Sequence, residues 1–299
     1  MSRSDLSVVD PRRSASIFAV APLLFILGAT AQYVGAAWAV DLFDHVAPES
    51  VAWLRVCGAS LVLLIVVRPW KRHWTRSLVV AAAGFGVATA LMNMSFYLAT
   101  ERLPLGTTVA IEFIGPIAVA GLASRSVSSW LSLGLAAVGV MLVSGAQWSD
   151  HAMGIAFALA AAALWAGYIV LGERVSNRTA GVDGLAVGLG LGALFTTPIG
   201  AWRSGPAFGE PRWLLLCIAI GIFSTIVPYG LDQVVMRRVP LRSFALMLAL
   251  LPTTAAVVGA VMLSQRLKGL EIIGICAVVV ALVISGVGDR AAAIADVGS

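Results

Sequence analysis

Apolar residues occur along this chain in ten long runs, which short polar connections separate. The runs cover approximately residues 15–38, 48–67, 77–98, 104–123, 128–147, 152–173, 183–203, 212–235, 241–263 and 270–288. A helix needs about 20 predominantly apolar residues to cross a bilayer. Because the runs are continuous and do not alternate in polarity, they are not the strands of an outer-membrane barrel. The pattern predicts an all-α membrane protein with ten transmembrane helices.

The composition leaves no room for a soluble domain. Of the 299 residues, 60% are hydrophobic and 12% are charged, against about 25% charged residues in soluble domains. No phosphate-binding loop, zinc signature or nucleophile–base pair is present, so the sequence predicts neither an enzyme nor a bound cofactor or metal. The glycines 188, 190 and 192 lack a strand–helix setting and indicate close helix packing. The cysteines have no paired or metal-binding spacing and all lie within apolar runs: Cys57, Cys217 and Cys276.

Basic residues are concentrated on one side of the predicted helices. If the N-terminus is cytoplasmic, 14 of the 20 Lys and Arg residues lie in the inner tails and connections. The positive-inside rule then predicts a multi-pass protein of the cell inner membrane with cytoplasmic tails at 1–14 and 289–299. The basic segment 69–76 is expected to contact lipid, and no nucleic-acid partner is predicted. The sequence defines no oligomeric state and is compatible with a monomer.

A weak internal repeat has an offset of 136 residues. Residues 102–116 align without gaps on residues 238–252, and the alignment superposes Pro116 on Pro252. The two predicted repeats, 15–147 and 152–288, contain five helices each, so the second repeat enters the membrane from the opposite side. Such inverted five-helix repeats are typical of transporters, which bind their substrate between the two halves. The alternative is accidental similarity between apolar helices.

Two charged residues lie within the predicted helices at similar depth. Glu112 is about seven residues from the outer end of the fourth helix, and Arg55 is about six from the outer end of the second. A carboxylate within a membrane is costly and often marks a pathway for protons or solutes. Pairing between Arg55 and Glu112 would lower the burial cost of both. The pair would then either fix the packing alone, or Glu112 would also exchange a proton or contact a substrate amine.

Other polar and aromatic groups also lie within the predicted helices, away from the interfaces where Tyr and Trp anchor helices. Some share a helical face through spacings of three or four residues. They indicate a polar, aromatic cavity, or alternatively hydrogen bonds between helices. Asp232 reaches either the cytoplasmic interface or an inner gate. The candidate residues for substrate binding or coupling, besides Glu112 and Arg55, are Asn93, Tyr97, Trp165, Tyr168, Tyr229 and Asp232.

Several motifs in these helices resemble the drug/metabolite transporter superfamily in its EamA branch, and within it the bacterial inner-membrane threonine/homoserine exporters. The resemblance covers about residues 15–288. The motifs are Trp53-Leu-Arg55, Asn93-x-x-Phe96-Tyr97, Glu112-Phe-x-Gly-Pro116, Trp165-Ala-x-Tyr168 and Ser224-Thr225-x-x-Pro228-Tyr229.

The resemblance implies the EamA fold and a secondary active exporter of small neutral amino acids, threonine- or homoserine-like, coupled to protons. The alternative is export of another small metabolite or drug by the same fold. Members of this family often carry glutamates in the second half where this chain has Leu251 and Gln265. That departure leaves Glu112 as the main candidate for coupling. A membrane-embedded enzyme would need a nucleophile or metal site, and a purely structural protein would need no central polar groups.

Overall fold

The computed structural model describes residues 11–103, 105–123, 127–144, 151–179, 182–254, 269–270, 272–281 and 283–284. Within these ranges the chain forms helices and turns and no β-strand. The predicted tail at 289–299, the end of the ninth run and the position of Gln265 lie outside the described residues. The first helix begins at Pro11, so it starts inside the predicted N-terminal tail.

Twelve helices follow one another along the described chain. They are α1 (Pro11–Leu42), α2 (Pro48–Val67), α3 (Arg76–Thr100), α4 (Leu105–Glu112), α5 (Ile114–Leu122), α6 (Val127–Ser144), α7 (Ala152–Arg178), α8 (Asp183–Gly200), α9 (Gly205–Gly209), α10 (Pro211–Gly221), α11 (Val227–Met236) and α12 (Leu241–Met247). A 3-10 turn at Pro69–Lys71 follows α2, and a π-helical turn at Ile222–Ile226 joins α10 to α11. A further apolar helix covers Ile272–Ala281.

Within the described ranges, five helical segments are long and apolar enough to cross a membrane. They are Pro48–Lys71, Arg76–Thr100, Ala152–Arg178, Asp183–Gly200 and Pro211–Met236. Five shorter apolar helices are also present, at Val20–Gly35, Thr108–Leu122, Trp130–Leu142, Ser243–Thr254 and Ile272–Ala281. Each of these ten segments coincides with one of the ten apolar runs in the sequence.

The sequence predicted one continuous helix for the fourth run. The structure instead breaks it at Phe113, between α4 and α5. Proline has no backbone N–H, so Pro116 cannot donate the helical hydrogen bond to the carbonyl of Glu112, four residues earlier. The helix that begins with α12 is interrupted by a turn at residues 248–249, and Pro252 lies four residues after Leu248. The two breaks therefore have the same relation to a proline.

Helix bounds recur at the spacing of the sequence repeat. The last residues of α1 and α7, Leu42 and Arg178, are 136 positions apart, and so are the first residues of α4 and α12, Leu105 and Leu241. The helix pairs α1 and α7, α2 and α8, and α4 and α12 therefore occupy equivalent places in the chain. The segment α10–α11 corresponds in the same way to α3.

Small residues allow α3 and α8 to pack closely. A Cβ atom on Gly86 would lie 1.6 Å from the carbonyl oxygen of Gly188, and one on Gly192 would lie 2.2 Å from the carbonyl oxygen of Gly86. Only glycine at these positions allows the two backbones to approach so closely. The prediction that the glycines at 188 and 192 serve helix packing is confirmed.

Ion pairs join α2 to α8 at both of their ends. Arg72 Nε lies 3.3 Å from Asp183 Oδ2 at the start of α8, and Arg203 Nη1 lies 3.3 Å from Glu49 Oε1 at the start of α2. Both arginine side chains are mostly exposed, so these pairs contribute little stability. Their arrangement shows that α2 and α8 run antiparallel along their whole length.

Candidate functional site

Helices from both predicted repeats surround a central cavity. Its volume is about 50 Å³, measured for the centre of a water-sized sphere. Since a water molecule requires about 10–15 Å³ by this measure, the cavity has room for several water molecules. The lining residues are Gln32, Met92, Asn93, Phe96, Glu112, Trp165, Tyr229, Asp232, Leu248 and Leu251. A second cavity of about 10 Å³ shares Gln32, Asp232 and Leu251 with it.

Two carboxylates line this cavity, and no Lys or Arg is among its described lining residues. Glu112 is the last residue of α4 and is 8% exposed. The missing N–H of Pro116 also leaves the Glu112 carbonyl without its helical donor. The break therefore interrupts the helical hydrogen-bonding pattern at a residue whose carboxylate lines the cavity, where that carboxylate can accept hydrogen bonds from a solute or from water.

The sequence predicted that Arg55 would pair with Glu112, and this prediction is wrong. No ion pair joins them among the described residues. Arg55 Nη1 donates to Tyr97 Oη at 2.6 Å and lies 3.3 Å from Ser224 Oγ, while Nη2 donates to Asn93 Oδ1. The guanidinium also lies over the Tyr97 ring, 5.0 Å from its centroid.

The expected ion pair rested on depth alone, which does not define the side of a helix that faces a neighbour. Gly221 explains why Ser224 comes close to Arg55. A Cβ atom at Gly221 would lie 2.3 Å from the carbonyl oxygen of Arg55. This glycine allows the α10 backbone to approach α2 closely, and it brings Ser224 of the adjoining π-helical turn to the guanidinium.

Asn93 and Tyr229 connect the Arg55 network to the cavity. Asn93 Nδ2 lies 2.9 Å from Tyr229 Oη and 2.8 Å from the carbonyl oxygen of Thr89, and Asn93 Oδ1 lies 3.2 Å from Tyr229 Oη. Asn93 and Tyr229 are themselves 136 residues apart. The contact therefore joins two positions that are separated by the offset of the sequence repeat.

The remaining candidates lie on the α7 side of the cavity. Tyr168 Oη donates to Asp232 Oδ2 at 2.6 Å, and the Tyr168 ring lies 5.3 Å from the ring of Tyr229. Trp165 contacts Phe113 edge-on, with 6.0 Å between ring centroids. Asp232 is half-buried and lines both cavities. It therefore lies at the same cavity as Glu112.

All eight predicted residues thus belong to one connected group, but three of them do not line the cavity themselves. Arg55 and Tyr97 lie behind Asn93, and Tyr168 contacts Asp232 and Tyr229. Met92 and Leu248 were not singled out from the sequence, and Phe96 and Ser224 were named only as members of motifs, with no role in the site. Leu248 is 136 residues from Glu112, so the repeat could have indicated it. The apolar side chains of Met92 and Phe96 gave no signal that distinguishes them from the rest of α3.

Comparison with known proteins identifies the family. The EamA-like transporter family matches residues 152–287. The threonine/homoserine exporter RhtA of Salmonella typhimurium is 33% identical over 262 residues, which cover 87% of this chain and 88% of that protein. RhtA of Escherichia coli is 33% identical over 264 residues, with 87% and 89% covered. The chain belongs to the EamA-like transporter family.

A solved crystal structure has the same fold as this family member. The two superpose with a TM-score of 0.71 at 16% sequence identity, over 94% of this chain and 99% of the other. Membership of the family makes this chain a multi-pass membrane exporter of a small molecule and not an enzyme.

Proposed function

We propose that this EamA-family exporter is a secondary active transporter of small neutral amino acids, threonine- or homoserine-like, and that protons drive it. Its similarity to RhtA over almost the whole of both chains supports the substrate class. The observation that carries the proposal is the central cavity, which Glu112 and Asp232 line with no basic residue among its described lining.

In this proposal the carboxylates have two roles. An amino acid carries an ammonium group, and a carboxylate in a cavity with little water binds it through charge-assisted hydrogen bonds. A carboxylate at the same site also binds and releases a proton, as Asp and Glu do in transporters. Glu112 is the main candidate for coupling, and Asn93, Trp165 and Tyr229 position the substrate. Asp232, held by Tyr168, contributes a second acidic group.

The proposed architecture is ten transmembrane helices in two inverted repeats, 15–147 and 152–288, with cytoplasmic tails at 1–14 and 289–299. The recurrence of helix bounds and the contact between Asn93 and Tyr229 support it. An inverted repeat places the substrate site between the halves, where the cavity lies. Membrane lipid is expected to contact the basic segment 69–76 on the cytoplasmic side.

Cysteine labelling tests the orientation. Single cysteines at the exposed positions His45 and His73 are introduced into a protein whose native cysteines have been replaced. An impermeant maleimide added to intact cells should label position 45 and leave position 73 unlabelled until the membrane is opened. Labelling of 73 and not of 45 would reverse the assigned orientation.

A counterflow panel tests the substrate. The purified protein is placed in liposomes loaded with unlabelled threonine, and uptake of labelled threonine is competed with the twenty amino acids and several drugs. We expect competition by threonine, homoserine and other small neutral amino acids, and an effect of an imposed proton gradient. Exchange of none of these compounds would contradict the proposal.

A second candidate is export of a more apolar metabolite or drug. The cavity lining favours it on one point, because Met92, Phe96, Leu248 and Leu251 present apolar surface to the space between the carboxylates. The same panel separates the two candidates. Competition by apolar amines, with none by threonine or homoserine, would select this second substrate class.

A further inference from the structure

Arg55 is a buried cation that has no anionic partner among the residues that the structure describes. Its side chain extends from α2 toward α3 and the π-helical turn. The residue is 4% exposed. Its hydrogen-bond acceptors are neutral: a phenol, an amide oxygen and a serine hydroxyl. Its Nε has no partner, and no carboxylate lies within ion-pair distance of it among the described side chains.

A buried charge is normally paired, because removing it from water without an opposite charge is strongly unfavourable. A guanidinium presents its donors as a planar fork that matches a carboxylate. Part of the fork is occupied here by neutral oxygens, and the rest is unused. The site is therefore better suited to a carboxylate than to the groups that now fill it.

The oxygen of Asn93 occupies the place that a ligand oxygen would take. Asn93 Oδ1 accepts from Arg55 Nη2 and lies 3.2 Å from Tyr229 Oη, so a single neutral oxygen lies between these two donors. Asn93 and Tyr229 both line the central cavity. A solute in the cavity thus lies one side chain away from Arg55, and rotation of Asn93 would bring the two together.

We propose that Arg55 binds the carboxylate of the transported amino acid, displacing the Asn93 oxygen. This inference rests on the proposed function and specifies its substrate chemistry. The zwitterion would lie with its ammonium group toward Glu112 and its carboxylate toward the Arg55 side of Asn93 and Tyr229. Compounds that share the side chain and ammonium group but lack a carboxylate would be rejected, because Arg55 would remain without an anion.

The test compares threonine with threoninamide and threoninol as competitors of labelled threonine in proteoliposomes. For the wild-type protein we expect threonine to compete about 10- to 100-fold better than either analogue, the range of a charge-assisted hydrogen bond. In Arg55→Gln, the potency of threonine as a competitor should fall by that factor, while the two analogues keep their wild-type potency. The preference for the carboxylate would then disappear.

Asn93→Asp provides a second variant that does not remove the cation. An aspartate there supplies a permanent carboxylate to Arg55 and should raise the melting temperature of the protein, since the buried charge gains a partner. The same change should weaken competition by threonine at least about 10-fold, because the aspartate carboxylate already occupies the place beside Arg55. Arg203→Gln is the matched arginine control, since Arg203 is an exposed residue at the far end of α8, and it should keep the wild-type ratio.

The outcomes separate this inference from the function on which it rests. Suppose that the wild type exchanges threonine and that Arg55→Gln keeps the wild-type preference for threonine over threoninamide as a competitor. This result would overturn the role of Arg55 and leave the exporter assignment intact. Tight threonine binding by Asn93→Asp would overturn the role of Arg55 as well. Absence of amino-acid exchange by the wild type would instead overturn the proposed function, and the inference with it.

Discussion

The two halves of this transporter break a helix in the same way and place different side chains at the break. In the first half, Glu112 lies four residues before Pro116, and in the second half Leu248 lies four residues before Pro252. Both residues line the central cavity. Proline determines the backbone in both places, because its missing N–H interrupts the helical hydrogen bonds. Proline does not determine which side chain lies at the break. The same backbone arrangement therefore carries a carboxylate in the first half and an apolar side chain in the second.

The largest expected effect comes from removing that carboxylate. Glu112→Gln keeps the shape of the side chain and removes its charge, so proton-driven export should be lost while some exchange of substrate remains. Leu248→Gln is the matched change at the equivalent position. It should alter the apparent KM but preserve the response to a proton gradient, because it removes no titratable group. Export in proteoliposomes with and without an imposed gradient measures both.

Protein abundance provides the control for this prediction. Because Arg55 is hydrogen-bonded to Tyr97 and Asn93 and not to Glu112, Glu112→Gln should leave abundance in the membrane close to that of the wild type. If Glu112→Gln greatly lowered the abundance of the protein and Arg55→Leu restored it, the two residues would form an ion pair after all. Undiminished proton-driven export by Glu112→Gln would remove it from the coupling mechanism.

The sequence predicted the helices better than the contacts between them. Apolar runs of sufficient length define helices in a membrane because the backbone must satisfy its own hydrogen bonds there, and the ten runs reappear as ten apolar helical segments. The partner of Arg55 was predicted wrongly, because equal depth leaves the direction of each side chain open. Gly221 allows a close approach between α10 and α2 that brings Ser224 to Arg55, and no local pattern indicates which helix a glycine will face.

Placing a carboxylate in the second half should sharpen the comparison. Leu248→Glu would introduce a further acidic group into a cavity that already contains Glu112 and Asp232. A charged side chain within the membrane costs about 2.5–3.5 kcal/mol on insertion scales, so the melting temperature in detergent should fall. Adding Glu112→Gln should recover part of the loss, since repulsion between the carboxylates is reduced. Equal melting temperatures for Leu248→Glu in both backgrounds would show that the two positions do not interact.

The interface between the halves should respond to a smaller change in α3. Gly86→Ala places a Cβ atom 1.6 Å from the Gly188 carbonyl oxygen, so α3 and α8 must move apart. Overpacking of this kind costs about 1–3 kcal/mol, and the melting temperature should fall. Gly134→Ala in α6 is the control, because nothing lies within 4 Å of its added methyl group. Similar melting temperatures for the two variants would contradict the close packing of α3 against α8.

The smallest effect is expected where equivalent positions of the two halves meet. Asn93→Ala removes both the amide nitrogen that lies 2.9 Å from Tyr229 Oη and the oxygen beside it, and Tyr229→Phe removes the hydroxyl. Hydrogen bonds between membrane helices average about 0.6 kcal/mol in double-mutant cycles and reach about 1.7 kcal/mol. The two single variants and the double variant, compared by reversible unfolding in detergent, should give a coupling energy in that range. The control cycle combines Asn93→Ala with Tyr33→Phe, because Tyr33 is a tyrosine of α1 that is not among the described hydrogen-bond partners of Asn93. The effects of these two substitutions on the free energy of unfolding should be additive. A coupling energy of zero for Asn93 and Tyr229 would mean that their contact does not hold the halves together.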